Sequence, residues 1–451
     1  MSVVPGATKK QAVVLIHGIG FQRPMRTLRG FVDTVWVADS TLRNPHVPST
    51  VWSKPDTVSE SFELRRLTTG RNLNNVRTDF FEFYWAHLLG GTSLGQLAGW
   101  VKALLLRSPA LIPRPLKAAY YILWIVTIVA GLALLNSALP EQQRFWQSAV
   151  GWSAIIGVVV VPLISWVLRE IVGDAAVYLD DAPTNIQTRH EVRSAGVKLL
   201  KNLLERDYER IIVVGHSLGT VIGYDVLKYL WAELHDKVDA VKAPKEADHV
   251  ALQRAAEELE DLSSKPDQSA DTRQRIIDLQ QAFVDAQRAY FDKLTAAGSP
   301  WKISDFVTLG SPLAHAELLL ARGAAELAEQ KNRRELPTCP PFAEPHKSKG
   351  LQGRFWFTKE VAGTPPQQVS IPHHAALFAP TVWTNVYFPC RALLWGDLIG
   401  GPIASQLGHG VRDVPVSTGM RLGLLSHTLY WTEGGNNAHI LALREALDLA
   451  R

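Results

Sequence analysis

Apolar residues in this chain gather into a few short, solid runs closed by turn-forming residues, which is the pattern of strands covered on both faces. Ala12 to Ile16 is one such run and ends in His17-Gly18-Ile19-Gly20, a buried strand followed by a glycine turn. Ile211 to Val214 is another. The stretch behind it, Thr220 to Leu230, sets Val221, Ile222, Val226, Leu227 and Leu230 on one face of a helix. Phe306 to Gly310 predicts the next core strand, closed by Gly310-Ser311-Pro312, and Thr381 to Phe388 alternates well enough for one more. Ser59 to Leu67 and Asp79 to Trp85 are two further strand candidates, the first charged enough to lie at an edge. Helical composition over Val177 to Leu204 leads into the Ile211 strand, and an amphipathic helix over Asn436 to Ala450 closes the chain. Strands and helices in alternation predict an α/β fold, mostly parallel, with helices on both faces of the sheet.

Two segments break this pattern in opposite ways. From Ala118 to Pro140 and from Phe145 to Leu168 there is no Asp, Glu, Lys or Arg, and each stretch exceeds the about 20 residues a helix needs to cross a hydrocarbon core. Tyr120, Tyr121 and Trp124 in the first, with Trp146, Trp152 and Trp166 in the second, sit where interfacial anchors sit. The reading is a transmembrane helical hairpin, its alternative a buried helical pair capping a soluble core. Lys102, Arg107, Arg114 and Lys117 precede the first stretch, which places both ends of the hairpin on the cytoplasmic side. Leu88 to Leu106 is at best an amphipathic surface segment.

The other break is polar. Lys242 to Leu294 is dense in charge and alanine, interrupted around Pro266, with Ile276, Leu279, Phe283, Ala286 and Tyr290 at steps of three and four. It predicts a helical hairpin that either packs on its own core or serves as a docking arm for a protein partner. Arg322 to Gly350 is proline-rich and weakly patterned, a loop or lid candidate. The expected organisation is an N-terminal part of the core over 1–106, the hairpin over 107–170, more core over 171–234, the charged helical insertion over 235–300, and a C-terminal part of the core over 301–451 that contains the lid candidate at 322–350.

Composition excludes more than it assigns. With 451 residues, 47% of them hydrophobic, the chain can bury a large core, and a formal charge of +4 gives no reason to expect a nucleic-acid partner. Cys339 and Cys390 are too few for a disulfide framework and belong to no cluster with metal-ligand spacing. Met1 to Lys10 lack the apolar core of a secretory signal, so the α/β core is expected in the cytoplasm, attached to the membrane by the hairpin.

The chemistry gathers at Gly215-His216-Ser217-Leu218-Gly219, directly after the Ile211 strand and before a helix. This is the strand-turn-helix arrangement of a nucleophile elbow, in which glycines two positions either side of a serine allow a sharp turn that exposes its oxygen. A serine hydroxyl needs a histidine to take its proton and a carboxylate to orient that histidine. With the elbow, the segments Val14 to Gly20, Leu309-Gly310-Ser311-Pro312, Trp383-Thr384-Asn385 ahead of Gly396-Asp397, and His427 followed by Tyr430-Trp431 resemble the lipase and esterase branch of the α/β-hydrolase superfamily. The likeness covers about half of the chain and omits both insertions.

In that superfamily the acid and then the histidine follow the serine. Asp397, in a turn-rich segment beyond the Thr381 strand, is the acid candidate, with Asp413 as the alternative; Asp305 precedes its strand instead of following one. His427, just before the last helix, is the base candidate, ahead of His409 between two glycines and His439 in the helix. The oxyanion hole is expected from the N–H groups of Ile19 and Leu218, and His17 has a loop-shaping role. What the resemblance implies is a serine hydrolase without metal or organic cofactor, acting on carboxylic esters, with lipid acyl esters favoured by the apolar stretches. Acyl transfer, thioester cleavage, or a catalytically silent membrane scaffold are the competing readings.

Overall fold

A computed structural model describes residues 8–19, 23–42, 50–88, 117–138, 183–239, 242–265, 269–346, 350–361, 367–390, 396–417 and 424–451, with single residues at 106, 108, 109, 112, 140 and 178. The frame is one eight-stranded sheet. Its strands are β1 (Lys9–Ile16), β2 (Trp52–Pro55), β3 (Arg65–Arg71), β4 (Val76–Phe83), β5 (Arg210–His216), β6 (Ile303–Leu309), β11 (Val382–Tyr387) and β12 (Arg412–Pro415), in the order β12-β11-β6-β5-β1-β4-β3-β2. From β12 to β4 every pairing is parallel; β3 runs antiparallel to β4, and β2 antiparallel to β3. The solid apolar runs became the central strands because both of their faces are covered. On one face Ala12, Val14, Ile211 and Val213 pack beneath α4 (Leu218–Leu234) and α3 (Pro183–Leu204). On the other, Val13, Leu15, Ile212 and Val214 meet α1 (Arg26–Val32) and α8 (Ala438–Leu447). The fold is therefore α/β, with a mostly parallel sheet between helical layers.

The edge strand expected over Ser59 to Leu67 lies later and is doubled. β3 begins at Arg65 and pairs with β2, whose residues Trp52 to Pro55 carry too little apolar pattern to be read as a strand. Four-residue β12 likewise carries too little apolar pattern to be read as a strand. Small strands β7 (Glu344–Pro345) and β8 (Gly353–Arg354) pair with each other, as do β9 (Trp356–Val361) and β10 (Gln367–Pro372).

The charged insertion forms α5 (Glu246–Ser263) and α6 (Ala270–Ala296). Its apolar stripe faces inward: Phe283, Tyr290 and Leu294 are buried, and Ile276, Leu279 and Ala286 pack against the same core. Polar contacts fasten it, with Gln287 Nε2 donating to the carbonyls of Phe378 at 2.7 Å and Thr381 at 3.0 Å, and Tyr290 Oη 2.9 Å from His249 Nδ1. That stripe is used within the chain. Of the lid candidate, residues 324–332 form α7 (Ala324–Asn332), and 336–341 are buried instead of looping outward. Tyr224 Oη donates to Pro337 O at 2.7 Å, and Cys339 N–H to Leu407 O at 2.8 Å, so this stretch is pinned to the core.

The first apolar stretch coincides with α2 (Lys117–Ala138), whose side chains are described only in part; among them Tyr121, Ile125, Ile128, Leu132 and Leu135 are exposed. The second stretch, 145–168, and the segment 89–105 lie outside the described residues. Among the described residues no helix is long and apolar enough to cross a membrane, so the expected transmembrane insertion has no support from the fold.

One buried carboxyl sits in the α1 face of the sheet. Glu82, on β4, accepts the Met25 N–H at 2.6 Å through Oε2, while Oε1 is buried without a partner among the described residues. Burial raises its pKa to about 7 against the opposing pull of that N–H. The folded pKa lies above the ordinary value of 4.5, so the contribution of Glu82 is fully present below about pH 4.5 and lost as the pH rises through about 7. Glu82→Gln keeps an acceptor for Met25 and is expected to stabilise the protein at pH 8 by up to about 3 kcal/mol and hardly at pH 4. Thermal unfolding at both pH values checks this, and an equal gain at both would show that ionisation is not the cause.

Candidate active site

The strand order itself locates a crevice. β1 and β5 are neighbours, but the chain continues from β1 towards the β4 side and from β5 towards the β6 side. Connections that part in this way leave a gap outside the carboxyl ends of the two strands, where open α/β sheets bind ligands. At those ends stand His17-Gly18 and His216-Ser217.

Ser217 adopts φ 52° and ψ −128°, a conformation rare for any residue with a side chain. The flanking glycines explain how the chain tolerates it. A Cβ on Gly219 would lie 2.2 Å from Ile16 O, and one on Gly215 2.7 Å from Thr220 Cα, so neither position has room for a side chain. Ser217 N–H donates to Leu309 O at 3.0 Å, and Thr220 Oγ1 donates to Ser217 O at 2.7 Å, locking the turn on both sides. Leu218 opens α4, and its N–H, as in any first helical turn, has no acceptor within the helix. The β1 turn lies against this elbow: a Cβ on Gly18 would sit 2.8 Å from Ser217 Cβ. Ile19 follows, half-buried against the core, which brings both expected oxyanion donors to the serine's side of the sheet.

His427 lies in a 3-10 turn over Leu424–Thr428, and its Nδ1 is 2.8 Å from Asp397 Oδ2. Asp397 is held on all sides. Oδ2 also accepts Tyr430 Oη at 2.7 Å, Oδ1 accepts Ile399 N–H at 2.8 Å, and His315 Nε2 donates to the next carbonyl, Leu398 O, at 3.1 Å. Gly310 and Gly400 press against the carboxylate so closely that a Cβ on either would lie 2.9 or 2.6 Å from Oδ2. Burial opposes its charge, but the hydrogen bond and charge of His427, aided by Gly400 N–H and Tyr430 Oη, prevail and lower its pKa to about 2. An ionised carboxylate on Nδ1 fixes the Nδ1–H tautomer and leaves Nε2 as the basic nitrogen. Nε2 is buried and without a partner among the described residues.

The alternatives are committed elsewhere. Asp413 accepts Asn385 Nδ2 at 2.7 Å and the N–H groups of Ile403 and Ala404 at 2.9 Å, which caps the helical turn Ala404–Leu407. Asp305, at the opposite end of β6, accepts Ser304 Oγ at 2.6 Å and pairs with Arg210 at 3.6 Å. His409 Nδ1 is 2.7 Å from Glu260 of the charged insertion, and His439 Nε2 donates to Thr432 O at 2.9 Å. His17 shapes the β1 turn: its Nδ1 donates to Gly18 O at 2.8 Å, its carbonyl accepts Trp85 Nε1 at 2.9 Å, and its ring stacks on Trp85 at 5.0 Å. Burial lowers its pKa to about 4.

Two members of the site carry no signal that a linear reading isolates. Tyr430 stands in the sequence only as a neighbour of His427, although its hydroxyl completes the Asp397 shell. His216 occupies the variable position of the elbow motif. Among the described residues no group of His, Cys, Asp and Glu is arranged to hold a metal ion. No family model matches the chain, and no match is found among curated proteins or solved structures.

Proposed function

We propose that this chain is a serine hydrolase of the α/β-hydrolase fold that cleaves carboxylic esters. The observation that carries the reading is the His427–Asp397 pair at 2.8 Å, its basic nitrogen unused, delivered to the same sheet edge as a serine at positive φ. In the mechanism, Ser217 Oγ adds to the ester carbonyl while His427 Nε2 takes the hydroxyl proton, and the carbonyl electron pair moves onto oxygen. The N–H groups of Leu218 and Ile19 receive that oxyanion. Collapse expels the alkoxide, which leaves as an alcohol with the proton from His427; water then repeats the sequence on the acyl-serine. Asp397 stays ionised and steadies the imidazolium.

Lipid acyl esters are the substrates we favour, with the catalytic part held at the cytoplasmic face of a bilayer. The charge-free stretches 118–140 and 145–168 support this, as does the exposed series from Tyr121 to Leu135 on α2. A fluorophosphonate probe is expected to modify the protein once, on the peptide that carries Ser217, and a short-chain acyl ester should compete. Modification of another residue, or none by the folded protein, would remove the reading.

A further inference from the structure

The side chain of His216 occupies the junction between the elbow, the β1 turn and the histidine turn. It is the last residue of β5, and its ring lies 5.1 Å from that of His427, 5.8 Å from that of Tyr430, and edge-on to Trp431 at 4.9 Å. Its Nε2 is 2.8 Å from the backbone oxygen of His427. A carbonyl only accepts, so Nε2 carries the proton and donates it. Nδ1 faces the other way, where a Cβ on Gly18 would come within 2.9 Å of it. Burial, reinforced by neighbouring His427, lowers the pKa of this ring to about 3, so it is neutral at working pH, with one nitrogen a donor and the other bare.

This bond reaches the His427 backbone, which the contact with Asp397 does not. Asp397 restrains the ring through Nδ1, but a ring restrained at one atom can still pivot if its own backbone shifts. The turn that carries it, Leu424–Thr428, is a single 3-10 turn, a poor scaffold for a group that must be placed within about 0.5 Å. The geometry points to His216 as a positioning residue for the base: its Nε2–H, donated to His427 O, ties the backbone of the histidine turn to the residue that precedes the nucleophile. Serine and histidine are thereby referenced to one strand end. The inference rests on the function proposed above and adds to it a residue that touches no reacting atom.

His216→Phe keeps a ring among His427, Tyr430 and Trp431 but has no donor. It is expected to lower kcat for ester hydrolysis about 10- to 100-fold with KM within about 2-fold, the pattern of a misplaced catalytic group. His216→Gln and His216→Met are matched in length and differ in the donor; glutamine should retain at least about a third of wild-type kcat and methionine fall with phenylalanine. That pair keeps the test intact if the phenylalanine variant does not fold. A phenylalanine or methionine variant as fast as wild type, or a glutamine variant as slow as methionine, would overturn the positioning role. His427→Ala separates the two levels of the argument. If it leaves turnover intact the proposed function fails, whereas an inactive His427→Ala beside a fully active His216→Phe overturns only the role of His216.

Discussion

Ser217→Ala is expected to reduce ester turnover by about 10⁴-fold or more and to abolish fluorophosphonate modification, because it removes the oxygen on which the proposed acyl intermediate forms. The fold should not register the change. Alanine keeps the Cβ that fits between the β1 turn and α4, and the backbone strain at φ 52° is the same for both residues. Ser217→Gly is expected to be equally inactive, yet more stable than the alanine variant by about 1 kcal/mol, since glycine occupies positive φ without the clash a Cβ brings. Turnover and thermal unfolding of the three proteins, measured together, test both halves. An alanine variant that retains turnover would exclude Ser217 as nucleophile, and a glycine variant less stable than alanine would show that the elbow stores no strain.

Asp397→Asn and Asp413→Asn are both carboxylate-to-amide changes at buried sites, and they are expected to separate by orders of magnitude. At 397 the surrounding donors dictate which way an amide sits. Ile399 N–H keeps the carbonyl oxygen at the Oδ1 position, so the NH₂ group falls where Oδ2 accepted His427 Nδ1 and Tyr430 Oη. Two donors cannot face each other, and His427 must move its proton to Nε2, the nitrogen that should accept from serine. A loss in kcat of about 10² to 10⁴-fold follows, with little change in KM. At 413 the loss is structural. Both carboxylate oxygens accept N–H groups, from Ile403 and Asn385 on one side and Ala404 on the other, so the amide leaves one donor opposed at a cost of about 1–3 kcal/mol. Turnover of the folded Asp413→Asn protein should stay within about 3-fold of wild type. The reverse ranking would move the acid to Asp413.

The strands around the site were legible because burial on both sides demands unbroken apolar runs. Ala12 to Ile16 and Ile211 to Val214 lie within central strands, and Phe306 to Leu309 ends a third, with Gly310 already in the turn beyond it. Legibility failed where something other than apolar pattern holds a segment. β12 is four residues, Arg-Asp-Val-Pro, placed by its pairing with β11 and by what Asp413 accepts. Residues 336–341 are buried by hydrogen bonds from Tyr224 and to Leu407, partners distant in the chain. At the site, Asp397 and His427 could be found from their order after the elbow. The bond from His216 to a main-chain oxygen 211 residues away could not, because a backbone carbonyl leaves no mark in a sequence.

The central position of β5 also bears on the order in which the protein can assemble. β1 pairs with β4 on one side, within the first 83 residues, but its other edge waits for a strand that starts at Arg210. During synthesis Val13 and Val14 therefore belong to an open edge while more than a hundred residues emerge, among them the longest apolar stretches of the chain. Contacts so distant in sequence slow folding and lengthen exposure to wrong pairing. The packing of the Ser217 turn on Gly18 therefore waits for the residues that follow β5, and a protein arrested before residue 210 would present an open strand edge without the elbow.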